Sequence, residues 1–157
     1  MVVFAAAGAF VVCYMLSGME QQAVTRFNVP GAPVPQGSKN LSRSGHMYEA
    51  NKKLQPWRNK IVQVARLAHK GAPIDAPVEV TAYFCVPKPK KPKFGLPATP
   101  ADLDKYQRAL GDALTQAGVI KDDARIVHWD AWKVFHPDGW VGVQVTVKPV
   151  QGLPWEK

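Results

Sequence analysis

Apolar and polar positions cycle along most of this chain, and the period changes from segment to segment. Residues 77–86 alternate, with Val78, Val80, Ala82 and Phe84 on one side and Glu79, Thr81, Tyr83 and Cys85 on the other. A period of two predicts a strand. Residues 54–69 instead repeat at threes and fours, placing Trp57, Ile61, Val64, Ala65 and Ala68 on one face. That predicts a helix, with Pro56 in the first turn, where a missing N–H costs nothing. A second helical stripe follows in Leu103, Tyr106, Leu110, Ala113, Leu114 and Ala117, and Gly118 can take the left-handed conformation that ends a helix. Residues 24–29 predict a short strand. Residues 125–135 and 140–147 alternate around His136-Pro137-Asp138-Gly139, which predicts a hairpin. In it His128 and Asp130 share a face with Ile126 and Trp132, and Asp130 is expected in a cross-strand ion pair. The whole predicts an α+β domain, a mixed sheet of roughly four or five strands with two main helices.

Turn residues separate these elements. Pro30, Gly31, Pro33, Pro35 and Gly37 break the chain after the first strand, and Lys39 and Arg43 follow on a Ser/Gly-rich loop running to Gly45. A second proline-rich stretch, PKPKKPKFGLPATP, carries Lys88, Lys90, Lys91 and Lys93 just before the second helix. Both sets of cations suit phosphate contacts; the plain alternative is a solvated loop.

Charge narrows the partner. The 157 residues carry a net charge of +8, which favours a polyanion, with nucleic acid first and an anionic membrane surface second. Cys13 and Cys85 give neither a disulfide framework nor a zinc site, and a reducing cytoplasm fits them. The histidines have no metal spacing, and no Gly-rich phosphate loop is present. Residues 1–18 are apolar and uncharged, short for a membrane span and without the basic start of a secretory signal. We read them as an extension outside the working domain, residues 19–157, with translation starting at Met19.

Against this basic background the carboxylates stand out. Asp102 and Asp104 open the second helix, and Asp122 and Asp123 follow its end. Asp104, Arg108 and Asp112 stack at intervals of four along one helix surface. Taken singly, each has an ordinary reading: Asp102 or Asp104 as helix caps, Arg108–Asp112 as a surface ion pair, the Asp-Asp pair as a turn. Taken together, clustered acidic oxygens point to a hard divalent cation.

The pattern D-L-D-x-x-x-R-x-L-x-D-A-L, followed by A-G-V-I-x-D-D-x-R-I, resembles the RusA family of Holliday junction resolvases. The likeness spans roughly residues 24–147 and is strongest over 102–126. It implies a structure-selective endodeoxyribonuclease of DNA recombination and repair that cuts four-way junctions with Mg²⁺, Mn²⁺ being a possible substitute. By position it implies that Asp102, Asp104 and Asp123 hold the metal and that Arg108 neutralises charge on the phosphate, with Asp112 and Asp122 as supporting candidates. It also implies branched DNA as substrate, no small-molecule substrate, a cytoplasmic setting and a homodimer, since a two-fold pair of sites can cut opposed strands. The chain departs from the family at Lys105-Tyr106, where Asn-Leu is usual, and at Arg108, where Lys is usual. Two other classes stay open: a junction-binding protein without nuclease activity, and a membrane-associated basic protein.

Overall fold

The computed structural model describes residues 24–37, 39–45, 47–49 and 51–156; the expected extension at residues 1–18 lies outside them. The described residues form strands β1 (Thr25–Pro30), β2 (Lys39–Leu41) and β3 (Met47–Glu49), helix α1 (Leu54–Ala68), strand β4 (Val78–Cys85), helix α2 (Leu103–Gln116), a 3-10 turn (Asp123–Arg125), and strands β5 (Ile126–Val134) and β6 (Gly142–Pro149). Four strands make a mixed sheet in the order β1-β6-β4-β5, and β2 and β3 make a separate small hairpin. The α+β architecture expected from the periodicities is the one observed.

Both helices lie on one face of the sheet. Val78, Val80, Ala82 and Phe84 of β4 are buried beneath them, together with Phe27 and Val29 of β1 and Val143, Val145 and Val147 of β6. Trp57, Ile61 and Ala65 of α1 and Leu110, Ala113 and Leu114 of α2 close the core from above. Removing a side chain such as Leu110, buried without exposure, would cost about 2–5 kcal/mol through lost burial and an unfilled cavity. α1 packs on β1 and on α2, and α2 packs on β5 and the 3-10 turn. The end of α1 is tied to β1 through His69: its Nε2 donates to the Ala72 carbonyl (2.9 Å), leaving Nδ1 to accept from the Thr25 hydroxyl (2.8 Å).

α2 stops where Gly118 predicts. Gly118 takes a φ of 74°, its N–H donates to the Thr115 carbonyl and the Val119 N–H donates to Leu114. This paired closure satisfies two of the carbonyls a helix end leaves open.

Three expectations need correction. β5 and β6 do not form a hairpin: β4 lies between them, parallel to β5 and antiparallel to β6. Residues 135–141 therefore carry the chain across the end of β4, and alternation alone cannot tell such a crossing from a turn between neighbours. Entry into β6 needs Gly142, where a Cβ would run into the Val29 carbonyl and the Trp140 ring. Second, the β4–β5 register shifts between Val78 and Glu79, so that Ile126 pairs with Val78 and His128 with Glu79. The extra residue, Val127, reverses the alternation; Ile126, Trp129 and Ala131 pack against the core, while His128, Asp130 and Trp132 are exposed. Asp130 accepts from the Trp132 indole N–H (3.0 Å) rather than joining an ion pair across strands. Third, the loop expected around Lys39 and Arg43 is the β2–β3 hairpin, with Lys39 in β2 and Arg43 exposed at the turn.

Candidate active site

The first acidic pair stands at the head of α2. Asp102 occupies the position before the first helical turn, and its carbonyl accepts from Lys105 N–H (3.1 Å), but its side chain makes no capping hydrogen bond. Its carboxylate is therefore not spent on the helix end. Asp104 lies within the first turn, where the helix dipole favours negative charge, and Lys105 Nζ stands 3.4 Å from its carboxylate. Both aspartates are exposed.

What holds this head in place is a lysine that no local sequence pattern singles out. Lys133, on β5, sends its ammonium to the carbonyls of Thr99 (2.6 Å) and Ala101 (2.7 Å). One cation thus fixes the last residues of the lysine-proline loop on either side of Pro100. Across the head, Gln36 N–H donates to the Lys105 carbonyl (3.1 Å), and Arg58 of α1 donates to Gln36 Oε1 (3.0 Å). The proline-rich segment after β1 is therefore stitched to the helix that carries the DxD pair.

The second acidic pair is built differently. The Asp122 carboxylate accepts from Ala124 N–H (2.8 Å), capping the 3-10 turn, so the ordinary reading of the pair, as a turn, applies at this position. Asp123 opens that turn and packs against α2 where the helix has no side chain: a Cβ on Gly111 would lie 3.8 Å from Asp123 Cβ, 3.8 Å from Ile126 Cδ1 and 4.0 Å from Trp129 Cζ2. The turn is clamped from both flanks by Asp75, whose two carboxylate oxygens accept from Lys121 Nζ and Arg125 Nε, each at 2.8 Å. These two hydrogen-bonded cations hold the Asp75 carboxyl below its ordinary value of 3.8. Backbone bonds reinforce the clamp, since Ile74 N–H donates to Val119 and Lys121 N–H donates back to Ile74. Asp75 belongs to neither motif, and only its structural place reveals it.

Between the two pairs lies a shallow cleft of about 220 Å³ lined by Gln107, Arg108, Gly111, Asp123, Ile126 and Trp129. Asp104, Arg108 and Gly111 follow one another along one stripe of α2. At about 1.5 Å of rise per residue, Asp104 stands roughly 10 Å along the axis from the level of Gly111 and Asp123. Arg108 is exposed between them and enters no ion pair among the described residues. Asp112 faces elsewhere: it pairs with Arg58 at 3.2 Å across the α1–α2 contact, not with Arg108.

Hard carboxylate oxygens are the right donors for Mg²⁺ or Mn²⁺, and two of the three, Asp102 and Asp123, are not engaged by cations among the described residues. Among the described residues, however, no three His, Cys, Asp or Glu side chains gather into a metal-holding group. The donor chemistry fits; Asp104 and Asp123 share one side of α2, Asp102 stands at its head, and the three do not meet at one point.

The departures at Lys105-Tyr106 also find their places. Lys105 lies beside Asp104. Tyr106 is buried against Phe84, ring centroids 5.4 Å apart, and burial pushes its phenol above the ordinary tyrosine value.

The sequence profile of the Endodeoxyribonuclease RusA family matches residues 30–148, a span holding both acidic pairs, the cleft and the clamp. The chain belongs to the RusA endodeoxyribonuclease family. It is similar to the crossover junction endodeoxyribonuclease RusA of Aquifex aeolicus (strain VF5), with 25% identity over 137 residues, 87% of this chain and 98% of the relative. A RusA-family nuclease cuts within a DNA strand, and the lysines at positions 88, 90, 91 and 93 are exposed on the loop that leads into the helix carrying the DxD pair. Among the described residues, no helix is long and apolar enough to cross a membrane.

Proposed function

We propose that this RusA-family endodeoxyribonuclease resolves four-way DNA junctions by Mg²⁺-dependent hydrolysis of paired phosphodiesters, working as a homodimer on DNA in the cytoplasm. The observation that carries the reading is the cleft in which Asp123, seated on Gly111, faces Arg108 on the same helical stripe as Asp104. Asp102, Asp104 and Asp123 would supply the carboxylate oxygens of the metal-dependent step, the first two from the head of α2 and the third from the 3-10 turn. When bound, Mg²⁺ polarises the scissile phosphate and makes water a better nucleophile. Arg108 offers a planar, permanently charged fork to the phosphate oxygens and stabilises the charge that grows on them as the bond breaks. Lys88, Lys90, Lys91 and Lys93, with Lys39 and Arg43 of the β2–β3 hairpin, would hold the backbone of the DNA. Asp112 and Asp122 act in support, the first by joining the helices and the second by shaping the turn under Asp123.

A second reading, binding without cutting, draws on the Lys105 ammonium beside Asp104. Magnitude argues against it. Exposed pairs of this kind are worth about 0–1 kcal/mol, too little to keep a divalent cation from the carboxylate. The deciding experiment compares nicking of a synthetic four-way junction with nicking of a linear duplex of the same sequence, with Mg²⁺ and with chelator. Paired nicks that require Mg²⁺ and the junction support resolution. Binding of the junction without nicks would establish the second reading instead.

A further inference from the structure

We propose that the groove between the lysine-proline loop and the first turn of α2 receives one unstacked nucleobase of the strand being cut, with Phe94 as its stacking surface. The proposal rests on the junction-resolving reading above and adds a site that the acidic motifs do not contain. The groove encloses about 300 Å³, and no carboxylate lines it. Phe94 and Leu96 stand at 46% and 52% exposure, an unfavourable arrangement for a monomer that must keep an aromatic ring and an aliphatic side chain in water. Two lysines stand over aromatic rings that line the groove. Lys93 Nζ lies 5.3 Å from the Phe94 ring centroid, and Lys88 Nζ lies 5.9 Å from the Phe135 ring.

Aromatic rings with an ammonium group over one face and the other face open suit a ligand that is itself flat and carries negative charge beside its ring. A single-stranded nucleotide has that chemistry: the base stacks on the aromatic ring and the flanking phosphates meet the lysines. Pro87, Pro89, Pro92, Pro97 and Pro100 line the groove, and their fixed φ angles keep it open without an ordering cost at the moment of binding. Its far end is rigid too. Lys133 pins the carbonyls of Thr99 and Ala101, immediately before Asp102. A base held here leaves its own phosphodiester beside the DxD pair. Tyr106, one of the departures from the family pattern, lines the same groove. At a four-way junction stacking is interrupted where strands exchange, so less unstacking energy is needed there than within a duplex.

The test uses the full chain with chelator present, so that binding is read without cutting. Affinity is measured for a four-way junction and for a set of junctions that each lack one base near the crossover, using wild type, Phe94→Ala and Phe94→Trp. Phe94→Ala should bind the intact junction about tenfold more weakly, and Phe94→Trp should restore binding. One abasic position should cost wild type the same factor, and on that junction Phe94→Ala should lose nothing further. Equal loss by Phe94→Ala on every junction, or no loss at all, overturns the groove while leaving junction binding intact. A change in oligomeric state with unchanged junction affinity overturns it in favour of a second copy of the chain. If wild type does not prefer the junction to a duplex, the resolving reading falls and the groove falls with it.

Discussion

The two ends of the candidate site are held by different physics. At the head of α2, the Asp102–Asp104 segment is fixed through main-chain carbonyls: Lys133 reaches Thr99 and Ala101, and Gln36 reaches Lys105. The aspartate side chains take no part in that tether. At the far end, the turn of Asp122 and Asp123 is fixed by side-chain charge, with Asp75 between Lys121 and Arg125. Carbonyl tethers are insensitive to salt and to mild acid, whereas an exposed ion-pair clamp is screened by salt and lost on protonation. The same acidic motif therefore combines a robust half with a tunable half, with Arg108 between them.

The largest effect should come from removing a carboxylate at either end. Asp104→Asn and Asp123→Asn keep size and hydrogen bonding but remove the charge that would hold Mg²⁺. Each should lower single-turnover junction cleavage by orders of magnitude, and the double variant should be scarcely worse, because groups serving one ion are not additive. Junction affinity should hold or rise. Near wild-type cutting by Asp104→Asn would remove the assignment, and fully additive losses would mean that the two ends act separately.

Lys133→Met should come next. It leaves two carbonyls without their charged partner while every aspartate stays in place. Cleavage should fall by about 10–100-fold, the usual cost of losing a group that orients ligands, while the thermal midpoint shifts little. If cutting is unchanged, the tether does not position the head. Replacing both Lys90 and Lys91 with Ala should weaken junction binding on all sequences. The slope of log affinity against log salt should become shallower by about one for each phosphate that is no longer neutralised. An unchanged slope would show that the loop stays off the DNA.

Much of this was legible in the chain, and the misses have identifiable causes. α1 and β4 follow directly from the spacing of Trp57, Ile61 and Ala65 and of Val78, Val80, Ala82 and Phe84, because burial imposes those periods. Gly118 ends α2 by a backbone conformation that few other residues take readily. Partners of β5 and β6 could not be read, since alternation reports a face and not a neighbour, and one extra residue at Val127 hid which side Trp129 takes. Asp102, Asp104 and Asp123 stood out by local pattern. Asp75, Lys133 and Gly111 did not, because each acts on a segment distant in sequence. Asp75 lies 46 residues from the lysine it pairs with.

Gly111 sharpens the comparison from the stability side. Glycine inside a helix costs roughly 0.5–1 kcal/mol relative to alanine, yet the added Cβ would meet Asp123, Ile126 and Trp129 only at ordinary van der Waals distance. Gly111→Ala should therefore raise the thermal midpoint by about 2–4 °C and leave cleavage near wild type. Gly111→Leu should press on Asp123 and lose cleavage while binding persists. Loss of cutting in the alanine variant would mean that Asp123 needs closer approach than this structure shows.

The smallest effect, and the one that separates the two ends most cleanly, is that of Asp75→Asn. Asp75 is titratable, and its folded pKa lies below the ordinary 3.8 because Lys121 and Arg125 hold the charged form. The sign follows from linkage. A carboxyl with a depressed folded pKa adds stability above its unfolded value, and that stability disappears as pH falls from 3.8 through the folded value. Wild type and Asp75→Asn should thus differ slightly in thermal midpoint near neutral pH, and the gap should close below 3.8. It should also narrow in high salt, because the pair is exposed. Cleavage should fall by less than about tenfold, with the deficit lying in the Asp123 end: Asp75→Asn combined with Asp123→Asn should add nothing, whereas Asp75→Asn and Lys133→Met should multiply. If the gap in midpoint persists unchanged into acid, the Asp75 contribution is packing and the tunable end of the site is not tuned by charge.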